Sequence, residues 1–574
     1  MNTNKALGFM VLLLLSFVLA GCGGGSGGDG NNDDGGGGGG SGGGGTDTLS
    51  PMVVSTVPAD GATAVGRNVI LNATFSEDML ETTINGGSFT LTGSTGTVTG
   101  TLSYNSTTKT AFLVPDAPLE QGASYTASLA ATITDLAGNA LTPLSWGFTV
   151  SNRRWATPVS IGSASVDPFN LPVKTDAAID ANGNIIAVWE RDGDIWANRY
   201  DVGNGWGTAV AVESDSNVYA FSPQLAVAPN GNAIVVWEQT EYNAQSNNYY
   251  QHVLAGFYTP GSGWGLPEYL ETETALDAYE PHVDFDSSGN AMVVWVQYDD
   301  INLDSDVWAN RYEAGSGRWQ GAELVDGDTA TAANPQLAFD VSGNAMVVWW
   351  DSLPNSGSAI WARRYDANTG WQASSDSLAS HASETLSDPR VGFDGSGNAL
   401  VVWQQFDSAA WTFSIWANHY VVGNGWNGAM ALEQDTVGSH SAPSLAVNAS
   451  GEAMAVWTYN DRTIAGIQAS RYVAGSGWST PENINARIGN ADTSQVAMDA
   501  TGNAVVVWAE GDTNGWLSAW SNRYEIGSGW GTAELLENDP GDVSWLPKVV
   551  MNASNGSAMA VWAQDGSVWA NRLE

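Results

Sequence analysis

The side chains most able to do chemistry are five histidines, one cysteine and a large stock of carboxylates. The histidines, His252, His282, His381, His419 and His440, fall in different stretches without the paired spacing of a metal site. Gly-x-Ser-x-Gly occurs only around Ser26 and Ser41, inside a Gly-rich stretch with no strand-to-helix pattern, so no nucleophile elbow is present. Carboxylates are plentiful enough for the acid pair of a glycoside hydrolase, but nothing in the sequence singles out two. Asp299, Asp300, Asp304 and Asp306 crowd one segment and could hold Ca²⁺, yet they lack the Gly and terminal Glu of an EF-hand loop. No other cofactor is expected, and the sequence favours a non-enzymatic role.

Cys22 has a different context. Lys5 precedes an apolar run from Phe9 to Leu19, too short for a comfortable transmembrane helix. The run ends in Leu19-Ala20-Gly21-Cys22, which resembles the lipobox of bacterial lipoproteins. That resemblance implies a signal peptide over 1–21 and lipidation of Cys22. With Gly23 and Gly24 following, it also implies the outer membrane, the protein facing the cell surface or the periplasm. Several acyl chains make such an anchor stable. Residues 22–49 are Gly-rich and cannot bury apolar surface, so they read as a disordered tether spanning roughly 30 Å. With no second cysteine, no disulfide forms within the chain.

The balance of 19 basic and 61 acidic residues gives a net charge of −42. A field of that sign repels phosphate backbones, so nucleic acid is not an expected partner. The membrane, through Cys22, and a glycan or protein ligand remain.

Residues 50–151 alternate apolar and polar side chains, as in Val69–Phe75 and Thr110–Val114, between turns such as Pro58-Ala59-Asp60-Gly61. About seven short strands predict a β-sandwich. The set Pro58–Gly61, Phe75–Met79, Leu119–Tyr125 and Asp135–Leu141 resembles the bacterial Ig-like domain of S-layer proteins. That resemblance implies a spacer or adhesion module. Asp135 is expected to bind amides of its own turn rather than a metal.

Residues 153–574 repeat. One unit runs Pro335–Asp340, Gly343–Trp349, Ile360–Tyr365 and Gly370-Trp371, four strands A to D. The strand-B Trp recurs at Trp189, Trp237, Trp295, Trp349, Trp403, Trp457, Trp508 and Trp562, at spacings of 48 to 58 residues. The Trp of strand D recurs seven times, and the eighth unit stops after strand C. The missing strand D stands at the other end, as Trp155–Ile161. A ring gains a join from such an offset, so an eight-bladed β-propeller closed by its N-terminal strand is expected. The Gly-His dipeptide of WD40 repeats is missing, and Trp-Asp stands once, at Trp350-Asp351, rather than recurring with the repeat. The Asp-x-x-Gly-Asn turns (Asp180, Asp286, Asp340, Asp394, Asp499) read as structural hairpins. The repeated Trp reads as core, and the Arg before Tyr (Arg199, Arg311, Arg364, Arg471, Arg523) as cover for an aromatic face or partner to an acid.

Strand alternation places the short, uniform A–B and C–D turns on one face and the variable B–C and D–A loops on the other. Binding residues concentrate on variable loops of a rigid scaffold. The candidates are the aromatics off the repeat: Tyr242, Tyr250, Tyr298, Phe406, Trp411, Tyr459, Trp516 and Trp545. Beside Asn, Asp and Gln they suit glycan or peptide. The alternatives are a glycoside hydrolase or lyase with carboxylates at the mouth of the ring, or a structural envelope component without ligand.

Overall fold

The computed structural model describes residues 47–574 except positions 66, 68, 165–172, 214–217, 244–246, 273–275, 300–303, 327–329, 354–356, 409, 434–437, 462–464, 486–490, 512–516 and 539–543; at 64, 299, 492, 544 and 545 only the backbone is described. Cys22, Asp300 and Trp516 therefore lie outside the described residues. Among those residues the protein is all-β: its one helical segment is a 3₁₀ turn, Glu81–Thr83, and no helix is long and apolar enough to cross a membrane.

The N-terminal domain is a sandwich of two sheets. The period-two pattern does what alternation demands: in Leu71–Phe75 every second side chain is buried. Leu71, Phe75, Phe89, Leu91, Leu113, Trp146 and Phe148 form the core between the sheets. Asp135 is a turn residue. Its Oδ1 accepts the amides of Ala137 and Asn139, both at 2.8 Å, and its Oδ2 accepts Asn139 Nδ2 at 2.7 Å.

Downstream, eight antiparallel sheets follow one another among the described residues. Sheet 1 has strand A Thr175–Ile179, strand B Ile185–Arg191, strand C Asp194–Asp201 and a D edge of two pieces, Gly205–Trp206 and Val210–Ala211. Sheets 2 to 7 repeat the order. The single strand D read from the sequence is split in six of these seven sheets. At the break in sheet 1, Asn198 of strand C donates from Nδ2 to Gly207 O at 3.2 Å. In sheet 8, strands A Ser544–Met551, B Ala558–Gln564 and C Ser567–Leu573 take their D edge from Val159–Ser163, which pairs antiparallel with strand C.

Every strand-B Trp is fully buried. Each removes about 200 Å² from water, about 5 kcal/mol gross. Trp349 of sheet 4 packs on Val294, Val307 and Val325 of sheet 3. Trp189 of sheet 1 packs on Val561 and Val568 of sheet 8 and on Ile161. The repeat Asn bonds back to the preceding D edge in the same way: Asn310 to Leu270 O at 3.1 Å, Asn522 to Ile484 O at 2.7 Å, and Asn198 to Ile161 O at 2.8 Å. The repeat Arg reaches forward. Arg311 lies 5.4 Å over Tyr365 of the next sheet, Arg364 5.8 Å over Tyr420, and Arg572 of sheet 8 lies 5.4 Å over Tyr200 of sheet 1. His419 stands in the Arg position and meets Tyr472 of the next sheet, ring to ring at 5.5 Å.

The turns follow their chemistry. Asp340 Oδ1 accepts the amides of Ser342 and Asn344 at 2.8 and 2.9 Å, Oδ2 accepts Asn344 Nδ2 at 2.7 Å, and Gly343 takes φ +82°. Asp180, Asp286, Asp394 and Asp499 repeat the pattern. The sandwich joins on this uniform-turn face: Arg153 bonds Gly556 O, in the A–B turn of sheet 8, at 3.1 Å, and Arg523 bonds Arg153 O at 2.9 Å.

Candidate functional site

Strand A is the strand of each sheet that lies beside strand A of its neighbours, and strand A of sheet 8 lies beside that of sheet 1. A proline interrupts most of these strands, at Pro223, Pro281, Pro335, Pro389, Pro443 and Pro547, with Ser494 at the seventh place. Proline cannot donate to a ladder and is tolerated within sheets at bulges. The register shifts there in each of sheets 2 to 8. The residue before it is left-handed without being Gly: Ser222, Glu280, Asn334, Asp388, Ala442, Thr493 and Leu546 have φ between 45° and 55°. Strain of this kind persists only where the surroundings hold it. Here neighbouring side chains take the displaced amides. Ser222 N donates to Glu190 Oε1 at 2.6 Å, Asn334 N to Glu280 Oε2 at 2.6 Å, and Ala442 N to Gln404 Oε1 at 3.0 Å.

The bulge aims the residue after it at one position in every sheet, opposite the Val that precedes the buried Trp. Those residues are Gln224, His282, Gln336, Arg390, Ser444, Gln495 and Lys548, with Asp176 in the corresponding register of sheet 1. All eight line one cavity of about 510 Å³. Lys174, Glu238 and Glu280 line it as well, at the D–A and B–C end. Polar side chains dominate the site, with apolar neighbours such as Leu225, Val283, Leu337 and Val391 between them. Two of the four lysines of this acidic chain face it.

Its charges are interlinked. Lys174 Nζ bonds Ser222 Oγ at 2.7 Å, and Lys548 Nζ lies 3.9 Å from Asp176 Oδ1. Asp176 Oδ2 accepts the amide of Leu225 at 2.8 Å. Burial raises the pKa of Asp176 and of Glu238, against the pull of Lys548 and Lys174. Burial also pushes His282 down to about 4, helped by the positive charges of Arg390 and Lys548. Two residues further along the same strand, burial pushes Asp284 up to about 6.

The structure sorts the histidines in a way the sequence did not. His252 Nδ1 lies 2.8 Å from Glu271, His381 Nε2 3.3 Å from Glu384, and His419 Nδ1 3.2 Å from Tyr472 Oη. His440 Nδ1 accepts Trp457 Nε1 at 3.0 Å. His282 alone points into the cavity. The available signal was the residue after each strand-A proline, a position that is polar in every repeat.

The aromatics expected to bind ligand stand elsewhere. Tyr242 is 50% exposed and its ring lies 5.2 Å from Tyr249 across one hairpin. Tyr250 is half-buried in the same hairpin, opposite Glu241. Tyr298 is half-buried opposite Ser305. Phe406 contacts Trp411 at 5.8 Å and Phe413 at 5.0 Å, with Trp411 74% exposed. Tyr459 packs 5.1 Å from His440. Trp545 belongs to strand A of sheet 8. Among the described residues no ring contact joins these groups from one sheet to another, and none of them lines the cavity. The reason is geometric: B–C hairpins lie one strand outward from strand A. Of the acids considered for Ca²⁺, Asp304 and Asp306 are buried at the base of one hairpin.

Residues 47–150 match the bacterial Ig-like domain family. The N-terminal sandwich is thus an Ig-like domain. No curated protein is significantly similar to the chain. Similar solved structures include an ulvan lyase from a new polysaccharide lyase family, at 11% identity over 66% of this chain and 97% of that one (TM-score 0.43). Others are a Hadza microbial sialidase, at 10% over 90% and 94% (0.38), and the β-propeller domain of the Trilobed protease from Pyrococcus furiosus, at 8% over 67% and 98% (0.37). These likenesses carry no activity over to this chain.

Proposed function

We propose that this is a lipid-anchored envelope protein whose propeller binds a glycan at the mouth of its central channel, with the Ig-like domain as spacer. In this reading the eight sheets are blades, and Val159–Ser163 closes the ring as the outer strand of the last. The stacking of Arg572 on Tyr200 supports closure, because it repeats at that junction what Arg311 and Arg364 do elsewhere. Cys22 carries the lipid, the 22–49 tether spans the gap, and the outer membrane is the site.

One observation carries the binding reading: eight polar side chains, one from each sheet, converge on a single cavity on the variable-loop face. Cavities of roughly 300–1,000 Å³ are the usual size for small-molecule sites. The exposed Tyr242 and Trp411 extend the face outward, where rings stack on sugars. The sandwich joins on the opposite, uniform-turn face, so it leaves this mouth open. A glycan array probed with the full chain tests the reading. Binding that disappears when Gln336→Trp fills the cavity supports it, and an array with no signal above background refutes it.

A second reading has its own support. Asp176, Glu238 and Glu280 line the same cavity, and burial raises the first two. Raised carboxyls of this kind serve as general acids in glycoside hydrolysis. New reducing ends released from a bound oligosaccharide, and abolished by Glu238→Gln, would favour it.

A further inference from the structure

Two groups in the cavity wall stand out by what they do not contact. Arg390 makes one side-chain hydrogen bond, from Nη1 to the carbonyl of its neighbour Pro389 at 2.8 Å, and no salt bridge among the described residues. Burial depresses its pKa, and the charge of Asp388 offsets this only in part. His282 makes no side-chain hydrogen bond among the described residues, and its Nδ1 is buried without a partner. Between them, at the same register of the intervening sheet, stands Gln336.

The contrast with the rest of the cavity is informative. Lys548 has Asp176, and Lys174 has Ser222 with Glu238 behind it. A desolvated guanidinium that has only the nearby charge of Asp388, with no carboxylate bonded to it, is costly, and so is a buried ring nitrogen without a partner. Both costs fall at neighbouring points of one cavity, in a chain whose −42 charge shows no shortage of acids. Sequences depart from local satisfaction of this kind at sites that a ligand completes.

We propose that Arg390, Gln336 and His282 form a subsite for an oxyanion carried on a saccharide, the carboxylate of a uronic acid or a sulfate ester. The planar fork of Arg390 matches two oxygens of such a group. A His282 ring N–H supplies a further donor; Gln336 lines the wall between them, its Nε2 donating to Asn334 Oδ1 at 3.1 Å and Pro335 O at 2.9 Å, so it donates to the ligand only by exchanging one of these. This inference rests on the glycan reading and adds which glycans are chosen. Despite its net charge, the protein would select acidic saccharides, because selection is made by the local wall rather than by the distant field, which salt screens within about 10 Å.

The test is calorimetric titration of the full chain in detergent micelles with three ligands of equal length: an oligouronate, a sulfate-esterified neutral oligosaccharide, and the same oligosaccharide unsubstituted. The expected result is binding of at least one acidic ligand at least tenfold tighter than the neutral one; the two acidic arms tell carboxylate from sulfate. Arg390→Gln should remove that tenfold preference while leaving the melting temperature unchanged or raised, which a purely structural arginine would not do. His282→Gln should weaken the acidic ligand several-fold, and decides the matter if Arg390→Gln fails to fold. Equal binding of acidic and neutral ligands, unaffected by either substitution, would overturn the oxyanion subsite and leave the glycan reading standing. Absence of binding by all three overturns both.

Discussion

Replacing Gly162 by Ala should damage this protein far more than one methyl group ordinarily does. Gly162 lies in Val159–Ser163, the segment that pairs with strand C of sheet 8. A Cβ there would sit 2.3 Å from Cζ2 and 2.9 Å from Cη2 of Trp189. Carbon atoms rest at about 3.5–4.0 Å, so relief needs a shift of roughly 1.2 Å. The indole cannot supply it freely. Trp189 is fully buried against Ile161, Val561 and Ala570, and its Nε1 is tied to Ser163 O at 2.9 Å. Overpacking of a tight core costs about 1–3 kcal/mol. Gly315→Ala is the control, because a Cβ there meets nothing within 4 Å; such surface changes stay within about 0.5 kcal/mol. Guanidinium titration of both full-length variants, followed by tryptophan fluorescence, measures the difference. If Gly162→Ala unfolds at the wild-type midpoint, Trp189 does not pack on this strand, and the joining of the two ends of the repeat domain is wrong.

Other tests follow from the same contacts. Ser163 and Ser567 are antiparallel partners, and such pairs have Cα atoms about 4.5–5.5 Å apart, within reach of a disulfide; Ser163→Cys with Ser567→Cys should oxidise spontaneously, and thiol titration showing two persistently free cysteines would argue against that pairing. Asp340→Ala strips two amides and Asn344 of their acceptor in a buried turn, so a loss of about 2–4 kcal/mol is expected in denaturant titration. Asp340→Asn should lose much less, because Asn448 already fills the equivalent place in sheet 6 and accepts the amides of Ser450 and Glu452. His282 and Asp284 should have opposite effects on the pH dependence of stability. With His282 held near 4, the unfolded chain binds the extra proton between pH 4 and 6.5, so its contribution to stability grows as pH rises through that window. With Asp284 held near 6, the folded chain binds the extra proton between pH 3.8 and 6, so its contribution is lost as pH rises. The two slopes nearly cancel in the wild type. His282→Gln should therefore leave stability that falls with pH, and Asp284→Asn stability that rises, each by at most about 3 kcal/mol. Unfolding midpoints at pH 4 and 6.5 that move alike in the two variants would contradict this.

Much of the architecture was legible in the chain because it is periodic. The Trp, Arg-Tyr and Asp-x-x-Gly-Asn positions recur with their own local chemistry, and each does in the fold what its type dictates: Trp349 is core, Arg364 covers Tyr420, and Asp340 ties its hairpin. The offset of one strand D between the ends was visible too. Conformation at the inner strand was less so. The proline repeat could be read, but the left-handed residue before it depends on acceptors such as Glu190 and Gln404, which belong to the neighbouring sheet.

What sequence alone determined here is everything set by neighbours along the chain or by the repeat: the strands, the hairpins, the buried faces. What tertiary structure decided is which residues meet across repeats. His282 and Arg390 are 108 positions apart; the proline before each marks them as equivalent places in the repeat, but only the convergence of the A strands brings them to one cavity. Of the conspicuous aromatics, Tyr242 and Trp411 are exposed on separate hairpins and are kept apart by the same geometry. Chemistry that depends on distance through space cannot be written into short-range pattern, and in this fold the short-range pattern builds the wall while the meeting of strands A from all eight sheets makes the site.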